Sequence, residues 1–155
     1  MKRNTTGIPC PTEDVEQAHL FQWAVWAEAE FPELKWMHHI PNGGKRSKSE
    51  AGRFRGMGVK AGVPDIFLPV RMMRYDFGKG LSYGGLYIEL KRAEGGRVTK
   101  EQDAWILGLR EQGYACEVCH GWEAARAVIE AYLKGTYIPR YKKEGTEGGK
   151  TKRTT

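Results

Sequence analysis

Two short β-type runs constrain this 155-residue chain more than any other feature. They are Asp65-Ile-Phe-Leu-Pro-Val70 and Leu86-Tyr-Ile-Glu-Leu-Lys91. Both are rich in Ile, Leu, Val and aromatic residues and too short for buried helices, so they predict strands. A long loop, Arg71 to Gly85, joins them, and the pair is expected to lie antiparallel. A strand face carrying Glu89 and Lys91 between Ile88 and Leu90 is unusual, because side chains on a strand alternate between its two faces.

Helical patterns surround the two runs. Thr12 is a good N-cap after Pro11, with Glu13 and Asp14 favourable at the positive helix end. The first helix is expected to run to Phe31 and stop before Pro32. Its inward stripe is Leu20, Ala24, Ala27 and Phe31. Lys35 to Ile40 reads as a short strand, Pro41-Asn-Gly-Gly44 as a turn, and Glu50 to Phe54 as partly helical. A second helix is predicted from Thr99 to near Gly113, with Trp105, Ile106 and Leu109 inward. Tyr114 to Cys119 follows as a strand. A last helix, Trp122 to Leu133, is expected to bury Ala125, Val128, Ile129 and Tyr132 and to end at Gly135. The order α, β, β, β, α, β, α implies an α/β fold with a mixed central sheet and helices on both faces.

Composition bounds the partners. The net charge is +6, and the excess is concentrated. Lys45, Arg46, Lys48, Arg53, Arg55 and Lys60 stand against Glu50 alone. Arg140, Lys142, Lys143, Lys150, Lys152 and Arg153 stand against Glu144 and Glu147. Two basic segments on a mildly acidic body suit a polyanion such as nucleic acid, although a solvated loop and tail have the same composition. Residues 1–11 and 135–155 are expected to be flexible, leaving one domain over 12–134. No apolar run is long enough to span a membrane, and no apolar stretch follows the N-terminal charges. Three cysteines are an odd number for a disulfide framework and fit a reducing cytoplasm. Cys116-Glu-Val-Cys119 with His120 reads as buried thiols rather than zinc, since residues three apart on a strand face opposite sides. His38 and His39 have no third ligand at metal spacing, and at most one of them is placed to touch phosphate. The loop residues Arg71, Arg74, Tyr75, Phe77, Lys79 and Tyr83 suit three roles equally: a backbone grip, a dimer contact or a simple extension.

The chemistry lies in Gly62-Val-Pro-Asp65 and Glu89-Leu-Lys91. If the strands pair, Asp65 and Glu89 converge at one end. Two carboxylates with a strand carbonyl and waters make an oxygen site suited to Mg²⁺ or Mn²⁺. Lys91 beside them suits orienting a water or stabilising charge on a phosphorane-like transition state. An ordinary charged strand face accounts for Glu89 and Lys91 alone, and a turn accounts for Asp65 alone; only the combination points to a site.

That combination resembles the PD-(D/E)XK nuclease superfamily, and specifically its VRR-NUC (virus-type replication-repair nuclease) domains. Thr12-Glu13 through Gln17, His39-Ile-Pro-Asn-Gly-Gly44, Lys60 through Asp65, Gly85 through Lys91, and Gln102 through Tyr114 all fit. The resemblance implies a restriction-endonuclease-like core and metal-dependent hydrolysis of phosphodiesters in branched DNA, such as four-way (Holliday) junctions. Flap or single-stranded DNA is the alternative substrate, and a non-catalytic DNA-binding module the alternative function. The resemblance further implies a homodimer and no small-molecule cofactor. It assigns catalysis to Asp65, Glu89, Lys91 and Gln102, and metal binding to Asp65, Glu89, the Leu90 carbonyl and a glutamate of the first helix. Glu13 lies at the centre of that helix's inward stripe and Glu16 about 60° away, which favours Glu13. Gln102 also completes a Thr99-x-x-Gln102 capping box. Asn42, Lys45, Arg46, Lys48, Arg53, Arg55 and Lys60 are the expected DNA contacts, Asn42 also being a natural turn-former.

Overall fold

The computed structural model describes residues 9–41, 48–76 and 79–140. Asn42, Lys45 and Arg46 therefore lie outside the described residues, as do residues 1–8 and 141–155.

Helix α1 spans Glu13–Ala27. The Thr12 hydroxyl accepts the Val15 N–H, and three acids occupy the first turn at the positive helix end. The helix stops at Ala27 rather than Phe31. Phe31 then takes φ −125°, ψ 81°, which satisfies the residue-before-proline restriction and turns its ring into the core. The strand expected over 35–40 is mostly a 3-10 turn, Pro32–Trp36, followed by the two-residue strand β1, His38–His39. Pro32 pre-sets the first helical position, and Leu34 and Met37, three apart, both point inward. Helix α2 (Lys48–Gly56) matches the partly helical basic stretch.

Strands β2 (Ile66–Leu68) and β5 (Leu86–Lys91) pair antiparallel, as expected, with Ile66 opposite Ile88. Between them lies a hairpin rather than a loop: β3 (Met72–Asp76) and β4 (Lys79–Tyr83) pair as a separate ribbon. This ribbon leaves from the C-terminal end of β2 and returns at the N-terminal end of β5. It is therefore at the opposite end of these strands from Asp65 and Lys91. Helix α3 (Lys100–Glu111) crosses over to β6 (Ala115–His120), which pairs parallel with β5. Helix α4 (Trp122–Leu133) follows. The main sheet has the order β1-β2-β5-β6 and is mixed.

One face of the sheet carries the core. Ile66, Leu68, Leu86, Ile88 and Leu90 pack against Leu20 and Ala24 of α1 and Ala125, Val128, Ile129 and Tyr132 of α4. By alternation Asp65, Glu89 and Lys91 belong to the other face, where α3 lies. Helices thus cover both faces. The packed body runs past the expected boundary at residue 134. Tyr137 is buried, donates to Glu117 Oε1, and Arg140 N–H donates to the same oxygen at 2.9 Å. The buried Glu117 carboxylate, which also accepts from Arg110 at 3.2 Å, holds residues 137–140 on the sheet despite their basic, tail-like composition. No described helix is long and apolar enough to cross a membrane.

Candidate active site

Asp65 is set in place from several directions. Gly62 has φ +86°, and a Cβ there would lie 2.6 Å from the Glu101 carbonyl carbon. Only glycine lets the loop lie this close to the start of α3. Trp105 Nε1 of α3 donates to the Ala61 carbonyl at 2.9 Å. The chain enters β2 through buried Pro64. The Asp65 carbonyl accepts from Ile40 N–H at 2.7 Å and from His39 Nδ1 at 2.8 Å. Its side-chain Oδ2 accepts the Leu90 N–H at 2.9 Å.

Glu89 is fully buried. Its Oε1 accepts from Lys91 Nζ at 2.7 Å and from Gln102 Nε2 at 2.5 Å. Gln102 completes the expected capping box and also touches Glu89. Its amide oxygen takes the Thr99 N–H at 2.8 Å, completing the capping box, while its amide nitrogen reaches Glu89. Lys91 is also buried, which excludes an ordinary solvated strand face. Gly96 lies directly over it: a Cβ there would fall 2.8 Å from Lys91 Cβ. The missing side chain is what lets the β5–α3 turn close on the lysine stem.

The electrostatics follow from burial. Desolvation first, and then repulsion from Asp65, raises the Glu89 carboxyl from 4.5 to about 7, against the pull of Lys91. Burial likewise pushes Asp65 above its ordinary value, opposed by the Leu90 N–H and by Lys91. Glu89 Oε2 is buried and has no hydrogen-bond partner. An unpartnered buried carboxylate oxygen beside a second carboxylate is the donor set of a hard divalent cation, which favours oxygen ligands.

The three-acid cage expected from Glu13, Asp65 and Glu89 is not preformed. Among the described residues, no three His, Cys, Asp or Glu side chains are arranged to hold a metal ion. Asp65 is near enough to act electrostatically on Glu89, while Glu13 is half exposed and its Oε1 is 3.9 Å from Lys91 Nζ. Its carboxylate still raises both partners' affinity for protons. Glu16, not Glu13, sits on the buried stripe with Leu20 and Ala24, but it is spent structurally: its Oε2 accepts the Trp122 N–H at the start of α4 at 2.8 Å. Leu90 enters through its N–H, on the strand edge that its carbonyl shares.

The expected phosphate contacts stand apart from the acids. Arg53 and Arg55 are exposed on α2 and Lys60 on the loop after it, and no hydrogen bond or ion pair links these three to Asp65 or Glu89. Lys48 opens α2, and its side chain is outside the described set. Cys116 and Cys119 are buried free thiols, both raised to about 12 by burial. Three site residues take roles that their sequence context does not signal: His39, expected at most to touch phosphate, Trp105, expected only to point inward, and Gly96. Each acts on a residue remote along the chain or against a backbone conformation, neither of which spacing reveals.

The VRR-NUC domain family matches residues 16–123, which takes in His39, Asp65, Glu89, Lys91 and Gln102 and leaves Glu13 just outside. A solved structure described as a VRR_NUC domain protein superposes with a TM-score of 0.66 at 28% identity, covering 86% of this chain and 100% of that one. Among curated proteins the sequence has no match. A nuclease-type domain accounts for the buried Glu89–Lys91 pair on one face of an interior strand, and with most of its length matched the chain belongs to the VRR-NUC family.

Proposed function

We propose that this protein is a metal-dependent endodeoxyribonuclease that hydrolyses phosphodiester bonds in branched DNA, with four-way junctions as its preferred substrate and a homodimer as its working form. The observation that carries this reading is the buried Glu89 carboxylate, with one oxygen held by Lys91 and Gln102 and the other unpartnered beside Asp65.

Asp65 and Glu89 would hold Mg²⁺ or Mn²⁺, with Glu13 joining through an intervening water. Hard cations of this kind keep several waters and take one or two carboxylates. When bound, such a cation polarises a phosphate oxygen and acidifies a coordinated water. The protein's own groups do the rest. Leu90 N–H fixes one Asp65 oxygen, and Gln102 fixes the Glu89 rotamer. Lys91, desolvated and held beneath Gly96, places a positive charge where negative charge develops on the phosphate. Arg53, Arg55 and Lys60, with Asn42, Lys45, Arg46 and Lys48, would contact flanking phosphates, each contact weakening with salt. Two copies related by a two-fold axis would present two such sites to the two strands of a symmetric junction.

The test is a substrate panel. Four-way junction, flap, single-stranded and linear duplex DNA are incubated with Mg²⁺, Mn²⁺ or EDTA, using wild type and Lys91→Ala. The expected result is metal-dependent cutting, fastest on the junction and abolished in Lys91→Ala while binding persists. Fastest cutting of flap or single-stranded DNA moves the substrate while keeping the chemistry. Binding without cutting under every metal overturns the hydrolase.

A further inference from the structure

The geometry points to His39 as a positioning residue for Asp65, acting from the edge strand through the aspartate's backbone carbonyl. His39 Nδ1 lies 2.8 Å from the Asp65 carbonyl oxygen, which also accepts the Ile40 N–H at 2.7 Å. A carbonyl only accepts, so Nδ1 is the donor and carries a proton in this bond. Two donors on one carbonyl fix the peptide that leads into β2, and Asp65 is its residue.

The need for such a clamp is visible in the surroundings. Asp65 precedes β2, and the first ladder pair of β1 with β2 is His39 with Ile66. β1 has only two residues, so its ladder alone holds Asp65 weakly. On the other flank, one bond from Leu90 N–H reaches the side chain. The imidazole adds a second anchor on the backbone. It is a solvent-exposed ring whose one hydrogen bond among the described residues spans 26 residues of sequence. An exposed side chain making a single long-range bond to the residue that carries the chemistry does little for core packing. Its contribution falls on the orientation of Asp65. By contrast, His38 turns its Nδ1 to the nearby Trp36 carbonyl at 3.0 Å and sets its ring against Phe67, a local packing role.

The activity and metal-binding arms of the test rest on the metal-dependent nuclease reading; the spectroscopic arm does not. The asparagine amide nitrogen falls near the position of Nδ1, and that of glutamine near Nε2. His39→Asn is therefore expected to keep kcat within about threefold of wild type. His39→Gln and His39→Ala are expected to lose about 10- to 100-fold in kcat with KM little changed, the range seen when groups that orient metal ligands are removed. Mn²⁺ affinity, measured by calorimetry on the DNA-free protein, should follow the same order. In wild type, nitrogen NMR should show His39 as the Nδ1–H tautomer, the minority form of free histidine. Thermal melts of all variants separate misfolding from mispositioning, and His39→Asn with the wild-type NMR spectrum remains informative if His39→Ala does not fold. The proposal is overturned by an Nε2–H tautomer, by rescue in His39→Gln but not His39→Asn, or by wild-type Mn²⁺ affinity in all three variants.

Discussion

Substituting Glu89 by Gln in the metal-free protein should remove a specific pH dependence. The folded state raises this carboxyl from 4.5 to about 7, chiefly by desolvation. A folded state that binds a proton more tightly than the unfolded chain loses stability as pH rises between the two values. The favourable contribution is complete below about 4.5 and gone above about 7. At about 1.4 kcal/mol per pH unit, the loss is about 3 kcal/mol over that window. Glutamine does not titrate, so the difference in unfolding free energy between wild type and Glu89→Gln reports Glu89 together with its effect on Asp65. Urea denaturation in EDTA at half-unit steps from pH 4 to 8 measures it. Wild type should lose about 3 kcal/mol relative to the variant as pH climbs. Adding Mg²⁺ or Mn²⁺ should reduce the fall, because a cation favours the ionised form that burial disfavours. A flat difference, or wild type gaining on the variant toward neutral pH, would refute the claim that burial dominates at Glu89.

Four further outcomes are expected. Gly96→Val should leave the fold intact but displace Lys91, lowering cleavage by at least about tenfold, as expected when a reacting group shifts by an ångström; steady-state kinetics with a matched melting curve checks it. Gln102→Ala should cost about 1 kcal/mol through the lost capping box and also reduce turnover, whereas Thr99→Ala should cost similar stability with turnover kept; the pair separates cap from site. Glu16→Ala should destabilise by about 1–3 kcal/mol by leaving the buried Trp122 N–H unpaired, while Glu13→Gln should leave stability nearly unchanged and weaken Mn²⁺ binding. Tyr137→Phe removes a buried hydroxyl from Glu117 and should cost about 1–2 kcal/mol in denaturant unfolding, placing the chain's packed limit beyond residue 134.

What the sequence makes legible is whatever acts through local rules. Helix α4 has the predicted bounds because a clean apolar stripe and Gly135 mark it. Strands β2 and β5, their antiparallel pairing and the Thr99 cap follow from run length, composition and a capping box. Asp65, Glu89, Lys91 and Gln102 meet as expected, because the alternation of β5 and the first turn of α3 put them on one face. What escapes is non-local. The buried stripe of α1 takes in Glu16 and leaves Glu13 outside, since the helix is held by the start of α4 as well as by the sheet. The β3–β4 ribbon carries no dipeptide turn signal strong enough to reveal two strands within Arg71 to Gly85. The hold of His39 on Asp65 and of Gly96 on Lys91 exists only once distant segments are brought together. The family match begins at Glu16, so the helix glutamate that completes the acidic group lies at the margin of the matched region.

The most direct test is a crystal soaked in Mn²⁺ and measured at the manganese absorption edge. An anomalous peak bonded to carboxylate oxygens of both Asp65 and Glu89, and absent in Glu89→Gln, is the predicted result. A wild-type crystal that cuts DNA in Mn²⁺ yet shows no peak between these two side chains would contradict it.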